Sequence, residues 1–214
     1  MADKLSDDSD KLKEVIEERL RGTVPLTDIS RARLGGVTLE SAHLADRAPP
    51  TQIRPAAVLV PLVDRPNGLT VLLTERAAHL RNHAGQVSFP GGRLEERDES
   101  PLAAALRETE EEIGLSRTFV RPVGYLESHL IFTGFHVVPV VGFVQPGFEL
   151  RPDPKEVADV FEVPLLHIMD VANHRTRARE VAGGTLHVYD IANGERPIWG
   201  ATAGMLMSLY RLIK

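Results

Sequence analysis

Downstream of Phe89-Pro90-Gly91-Gly92 stands the run Arg107-Glu108-Thr109-Glu110-Glu111-Glu112-Ile113-Gly114-Leu115. An α-helix turns about 100° per residue, so with Glu108 at zero, Glu112 falls at about +40° and Glu111 at about −60°. Those three carboxylates share one side of the helix. Leu102, Leu106, Thr109 and Ile113 form a core face nearly opposite, and Glu110 belongs to neither and is expected to be solvated. Like charges at i, i+4 cost only a few tenths of a kcal/mol, so a glutamate-rich helix is commonly just a wet surface. The flanks argue otherwise. Two glycines precede the helix, Arg107 opens the cluster, and Gly114 stands where a C′ glycine ends a helix. Carboxylates grouped this way suit a hard divalent cation, and a hard cation held by carboxylates suits phosphate chemistry.

On this reading Glu108 and Glu112, one turn apart, are the leading ligands. Glu111 is a further ligand or a supporting partner, and a backbone carbonyl of Gly91 or Gly92 could complete the set, since glycine lets the main chain approach closely. Glu108 could hold or deprotonate the attacking water, and Glu156, in the loop before Val157, is a second candidate base. Arg76 and Arg81 are candidates for binding substrate phosphate, because a guanidinium can do so bidentately. His83 could bond within its loop or to a phosphate. No histidine pair has metal-ligand spacing on one helix. Trp199 could anchor the core or stack on a base. Glu108 and Glu112 are both expected to be exposed.

The charge distribution supports a local anion-and-cation site. The net charge is −5, yet the stretch from Glu95 to Glu112 alone carries −6. Just before it, Arg76, Arg81 and Arg93 outnumber acids. No long basic patch with interleaved aromatics is present, which argues against nucleic-acid binding. There is no cysteine, so no disulfide and no thiol chemistry. The polar, acidic start does not read as a signal peptide, and no apolar run reaches the ~20 residues that span a bilayer. A cytoplasmic protein is the expectation.

Around the candidate site the sequence predicts a layered α/β (α+β) domain, because strands and helices mix without strict alternation. Residues 9–22 read as an amphipathic helix and 23–53 as irregular. Residues 56–63 and 69–74 read as a hairpin, 87–89 as a short extended piece, and 119–128 and 135–144 as strands. Ser100-Pro101 opens a helix running to about Gly114. Glu162-Val163-Pro164 leads into a short helix at 165–169. A second hairpin spans 175–182 and 185–191, turned at Gly183-Gly184, and 201–214 is a final amphipathic helix. Residues 1–53 are taken as a helix and linker that pack on the domain or form a homodimer arm, and 54–214 as the domain.

The stretch from Gly92 to Leu115 resembles the Nudix box, a glycine, five residues, a glutamate, seven residues, then Arg-Glu-aliphatic-x-Glu-Glu-x-Gly-aliphatic. Arg107, Glu108, Glu111, Glu112, Gly114 and Leu115 match, and Thr109 replaces an aliphatic residue. Counting back from Arg107 puts the box acid at Glu99, but Gly92 then lies one residue early. Either Asp98 or Glu99 therefore pairs with Arg107 to brace the loop. Leu72-Leu73-Thr74-Glu75-Arg76, Leu80-Arg81, His83-Ala84-Gly85-Gln86-Val87 and Phe89-Pro90-Gly91-Gly92 resemble the added signature of the coenzyme A diphosphatases of that family. The resemblance implies a Nudix-type α/β/α sandwich with a mixed β-sheet. It also implies Mg²⁺- or Mn²⁺-dependent hydrolysis of a nucleoside diphosphate linked to another group, and for this branch cleavage of coenzyme A to 3′,5′-ADP and 4′-phosphopantetheine. Three other readings stand beside it. One is the same chemistry on ADP-ribose, a dinucleotide or a nucleotide sugar, another a catalytically silent binding module, and the third a purely structural Ca²⁺ site.

Overall fold

The computed structural model describes residues 2–38, 52–80, 83–181 and 184–214. The longest apolar run of the sequence becomes β8 (Phe135–Val144), which lies parallel to β2 (Arg54–Arg65) from Arg54↔Phe135 to Val63↔Val144. A strand buried on both faces needs no polar alternation, which is why these two read as nearly continuous apolar stretches. β2 turns at Pro66-Asn67 into β3 (Gly68–Arg76), with Gly68 at φ 110°. β3 pairs in turn with β4 (Val87–Ser88) and β9 (Val157–Pro164). β5 (Gly91–Arg93) pairs antiparallel with β2. β6 (Val120–Tyr125) and β7 (His129–Ile131) pair with β8, and β1 (Arg33–Leu34) runs parallel to β7. The result is one mixed sheet. A second, smaller sheet holds β10 (His174–Val181), β11 (Gly184–Ile191) and β12 (Ile198–Trp199).

Alternation along β2 divides the core into two layers. Ala56, Val60 and Leu62 face a cluster completed by α1 (Ala2–Leu20), α3 (Leu165–Met169) and α4 (Ala201–Ile213). Ala57, Leu59 and Val63 face Ala104, Ala105 and Ile113 of α2 (Pro101–Ile113). Helices thus cover both faces, and the fold is the mixed α+β type that the sequence predicts. Within residues 1–53, Ile16 and Leu20 of α1 are wholly buried in the first cluster. Each such side chain contributes about 1.5–3 kcal/mol. Thr23 Oγ1 continues the attachment by donating to Leu20 O and accepting from Tyr125 N.

Several elements differ from the sequence reading: α1 spans Ala2–Leu20 rather than 9–22, and the short strands β1, β5 and β7 are absent from that reading. Residues 157–164 form an edge strand, because β3 offers unpaired main-chain groups that override a weak local pattern. The strand expected over 119–128 ends at Tyr125, with a register shift between Pro122 and Gly124 where proline lacks an N–H. Gly183 and residues 39–51 of the expected linker lie outside the described residues.

Candidate active site

α2 is built to present its carboxylates. Ser100 accepts from Ala103 N at 3.1 Å as the N-cap, Pro101 follows, and Gly114 closes the helix at φ 71° with its N–H on Glu110 O. Thr109 stands in the core without cost because its hydroxyl donates to Ala105 O at 2.7 Å. The carboxylate face then turns toward β5 rather than toward water. Gly91 and Gly92 make this approach possible. A Cβ on Gly92 would lie 2.4 Å from the Glu108 carboxyl carbon, and one on Gly91, at φ 149°, would lie 2.4 Å from Ala57 O. Glu112 is therefore only 4% exposed, which corrects the expectation that it faces solvent. Its Oε2 accepts from Gly91 N at 3.0 Å. Burial pushes the Glu112 carboxyl up to about 7; the charges of Glu156 and Glu108 add to the rise, while the Gly91 N–H and Arg76 oppose it. Burial raises Glu108 as well, with Glu111 and Glu156 adding and Arg107 opposing.

Arg107 holds the loop before the helix. Its Nε and Nη2 donate to Asp98 Oδ1 and Oδ2 at 3.0 and 2.8 Å, Nη2 also reaches Arg93 O at 3.0 Å, and Nη1 reaches Glu108 and Glu111 at 2.8 and 3.0 Å. The Arg107 bonds draw the Asp98 carboxyl down to about 2. Glu99 is exposed, so Asp98 rather than Glu99 is the acid that braces Arg107. The spacing from Gly92 to Asp98 is that of the box, and the extra residue falls between Asp98 and Arg107, where the turn into Ser100 absorbs it. Glu110, expected in solvent, instead pairs with Arg117 and accepts its backbone N–H at 2.8 Å.

The remaining candidates fall at different depths. Glu111 is half exposed and pairs with Arg107 and with Arg97, one of the two cations inside the acidic run. Glu156 is exposed, and its carbonyl accepts from Ala77 N at 2.9 Å, which brings the start of β9 beside the end of β3. Its charge is felt by both Glu108 and Glu112. Arg76 ends β3 within electrostatic reach of Glu112, and its Nε is buried without a hydrogen-bond partner. His83, at φ 59°, bonds Gln86 Oε1 at 2.8 Å and stays within its own loop. Arg81 lies outside the described residues.

Among the described residues, no three carboxylate or imidazole groups converge closely enough to enclose a cation. Arg107 explains this, since its guanidinium lies between Glu108 and Glu111 and supplies positive charge there. The donor set nevertheless fits Mg²⁺ or Mn²⁺. It is all oxygen, partly buried, self-repelling, and set in a cradle that any side chain at position 92 would fill.

A family model described as the NUDIX domain matches residues 53–182. An uncharacterized Nudix hydrolase, NudL, of Shigella flexneri is 41% identical over 161 residues, which span 75% of this chain and 83% of that protein. NudL of Escherichia coli is 41% identical over 157 residues, 73% of this chain and 81% of its own. Among solved structures, the Nudix hydrolase RenU of M. smegmatis gives a TM-score of 0.46 at 23% identity, over 53% of this chain and 72% of that one.

Proposed function

We propose that this chain, which belongs to the Nudix hydrolase family, cuts the pyrophosphate bond of coenzyme A and its derivatives, releasing 3′,5′-ADP and 4′-phosphopantetheine. Hydrolysis of a nucleoside diphosphate derivative with the help of a divalent metal is the general chemistry of the family. The observation that carries the local reading is the juxtaposition of buried Glu112 with Arg76, whose Nε has no partner. A carboxylate suited to a cation and a guanidinium suited to an anion then lie within electrostatic reach of each other. The coenzyme A assignment rests on the stretch from Leu72 to Gly92, whose residues resemble the signature of that branch.

Glu108, Glu111 and Glu112, with a carbonyl of Gly92, would hold the Mg²⁺ or Mn²⁺. The bound ion supplies positive charge for the pyrophosphate oxygens and makes water more acidic. Arg76 binds the scissile pyrophosphate and Arg81 adds to that binding, while His83, bonded to Gln86, supports its loop. Glu156 takes the proton from the attacking water. It is exposed, and among the described residues no cation pairs with its carboxylate, whereas Glu108 is tied to Arg107. Arg107 keeps Glu108 and Glu111 in position, and Asp98 keeps Arg107 in position. Among the described residues no helix is long and apolar enough to cross a membrane. We place the activity in the cytoplasm and in a homodimer; the exposed Val24, Leu166 and Val171 offer apolar contact.

Glu156→Gln is expected to lower kcat by about 10²–10⁴-fold with little change in KM, as for the loss of a general base. Unchanged kcat would return that role to Glu108. Turnover of coenzyme A and of ADP-ribose, each with Mn²⁺, tests the substrate assignment. Cleavage of ADP-ribose without cleavage of coenzyme A would move the protein to another branch of the family. Inactivity of both wild-type and Glu112→Gln protein on a broad diphosphate panel would favour a silent binding module.

A further inference from the structure

We propose that Arg54, Arg93 and Phe135 form a second anion subsite, one that holds a phosphate of the substrate remote from the bond being cut. The inference deepens the proposed function and rests on its nucleoside diphosphate substrate. Sheet register assembles the three residues. Arg54 of β2 lies directly across from Phe135 of β8, and Ala56, two residues on, lies directly across from Arg93 of β5. Residues two apart on a strand, and residues paired across strands, point to the same face. All three side chains therefore meet on one side of the sheet. The guanidinium carbons of Arg54 and Arg93 lie 4.1 and 5.4 Å from the centroid of the Phe135 ring.

What distinguishes this cluster is its charge balance. Arg65, Arg121, Arg177 and Arg196 also lie over aromatic rings, and each is paired with a carboxylate, respectively Glu162, Glu17, Asp190 and Asp159. Arg179 shares the Trp199 ring with the paired Arg177, and Arg211 lies over Tyr189 and donates to Ser208, so among the described residues Phe135 is the ring that carries two arginines both lacking a carboxylate. Among the described residues, neither Arg54 nor Arg93 has such a partner. Arg54 Nη2 donates to Thr133 O at 3.1 Å, which orients the side chain without neutralising it. Two like charges over one ring repel, and a phosphate bridging them would turn that repulsion into charge-assisted hydrogen bonds. The ring supplies a flat, apolar support that fixes both planes.

The position relative to the reaction centre is equally specific. Arg93 follows Gly92, whose missing side chain makes room for Glu108, and Arg93 O accepts from Arg107. Gly92 pairs with Ala57 and Arg93 with Ala56, so the two residues address opposite faces of the sheet. A substrate whose pyrophosphate meets the carboxylates of α2 can thus reach around the short strand β5 and set a second phosphate on Arg93 and Arg54. A substrate with a phosphomonoester on its nucleoside would use both places, and one without it only the first.

The test is isothermal titration of the metal-free protein in EDTA with adenosine 3′,5′-bisphosphate and with AMP. The wild type is expected to bind the bisphosphate about tenfold more tightly, a difference of about 1.4 kcal/mol. Arg93→Ala and Arg54→Ala should each remove that preference while leaving AMP binding unchanged. Phe135→Leu, which keeps both charges, should weaken the preference without abolishing it. Absence of the preference in the wild type, its survival in both arginine variants, or equal loss of both ligands would overturn the subsite. Because the titration needs neither metal nor turnover, failure of the subsite is distinct from failure of the hydrolase reading, which would show as no cleavage of any diphosphate by the wild type.

Discussion

Glu112→Gln is expected to abolish turnover and, in the metal-free protein, to raise the melting temperature. The two effects share one cause. The carboxyl titrates near 4.5 when unconstrained and near 7 in the folded chain, chiefly because it is buried. A carboxyl raised on folding contributes its stability below pH 4.5 and loses it as pH climbs through 7. At neutral pH and above, the ionised side chain therefore opposes folding by about 1–3 kcal/mol, allowing for the hydrogen bond from Gly91. Glutamine keeps an acceptor for that N–H and removes the charge. For a chain of this size the gain corresponds to a rise of about 3–8 °C in EDTA at pH 8. The gain should shrink at pH 5, where the wild-type carboxyl is already protonated. Added Mn²⁺ should stabilise the wild type and leave the variant unmoved. A variant that melts lower than the wild type in EDTA would make Glu112 a structural residue, and retained turnover would remove it from the ligand set.

Asp98→Ala is expected to destabilise the protein by about 2–4 kcal/mol, whereas Glu99→Ala stays within about 0.5 kcal/mol of the wild type. The Asp98 side chain is 4% exposed and that of Arg107 11%, and the two form a bidentate pair. Removing the aspartate leaves a shielded guanidinium with fewer acceptors, although Glu108, Glu111 and Arg93 O still hold part of it. The sign with pH is opposite to that of Glu112. Asp98 is drawn from 3.8 down to about 2 by Arg107, so its contribution is complete above pH 3.8 and disappears as pH falls through 2. The gap between wild type and Asp98→Ala in chemical denaturation should therefore persist through neutral pH and close in strong acid. Activity should fall too, because a freed Arg107 bonds more firmly to the carboxylates meant for a cation. Equal destabilisation by Asp98→Ala and Glu99→Ala would show that the loop is braced by neither acid in particular.

Much of this was legible in the residues themselves. The 3.6-residue period placed Glu108, Glu111 and Glu112 on one side of α2, and Ser100-Pro101 and Gly114 marked its ends, because capping is local chemistry. The continuous apolar runs at 56–63 and 135–144 marked the central strands, because burial on both faces leaves no room for polar alternation. The matching residues of the box and of the stretch from Leu72 to Gly92 pointed to the family. Tertiary structure decided what depends on residues far apart in the chain. It chose Asp98 over Glu99, since one extra residue in a loop changes spacing but not which acid can reach a guanidinium. Burial of Glu112 came with it, since helical angles give direction and not depth, and depth here follows from two glycines on a neighbouring strand. The strand at 157–164 has the same origin, since an open sheet edge supplies hydrogen bonds that no local pattern announces. Finally, Arg54, Arg93 and Phe135 are brought together by register alone, across three strands whose pairing the sequence does not reveal.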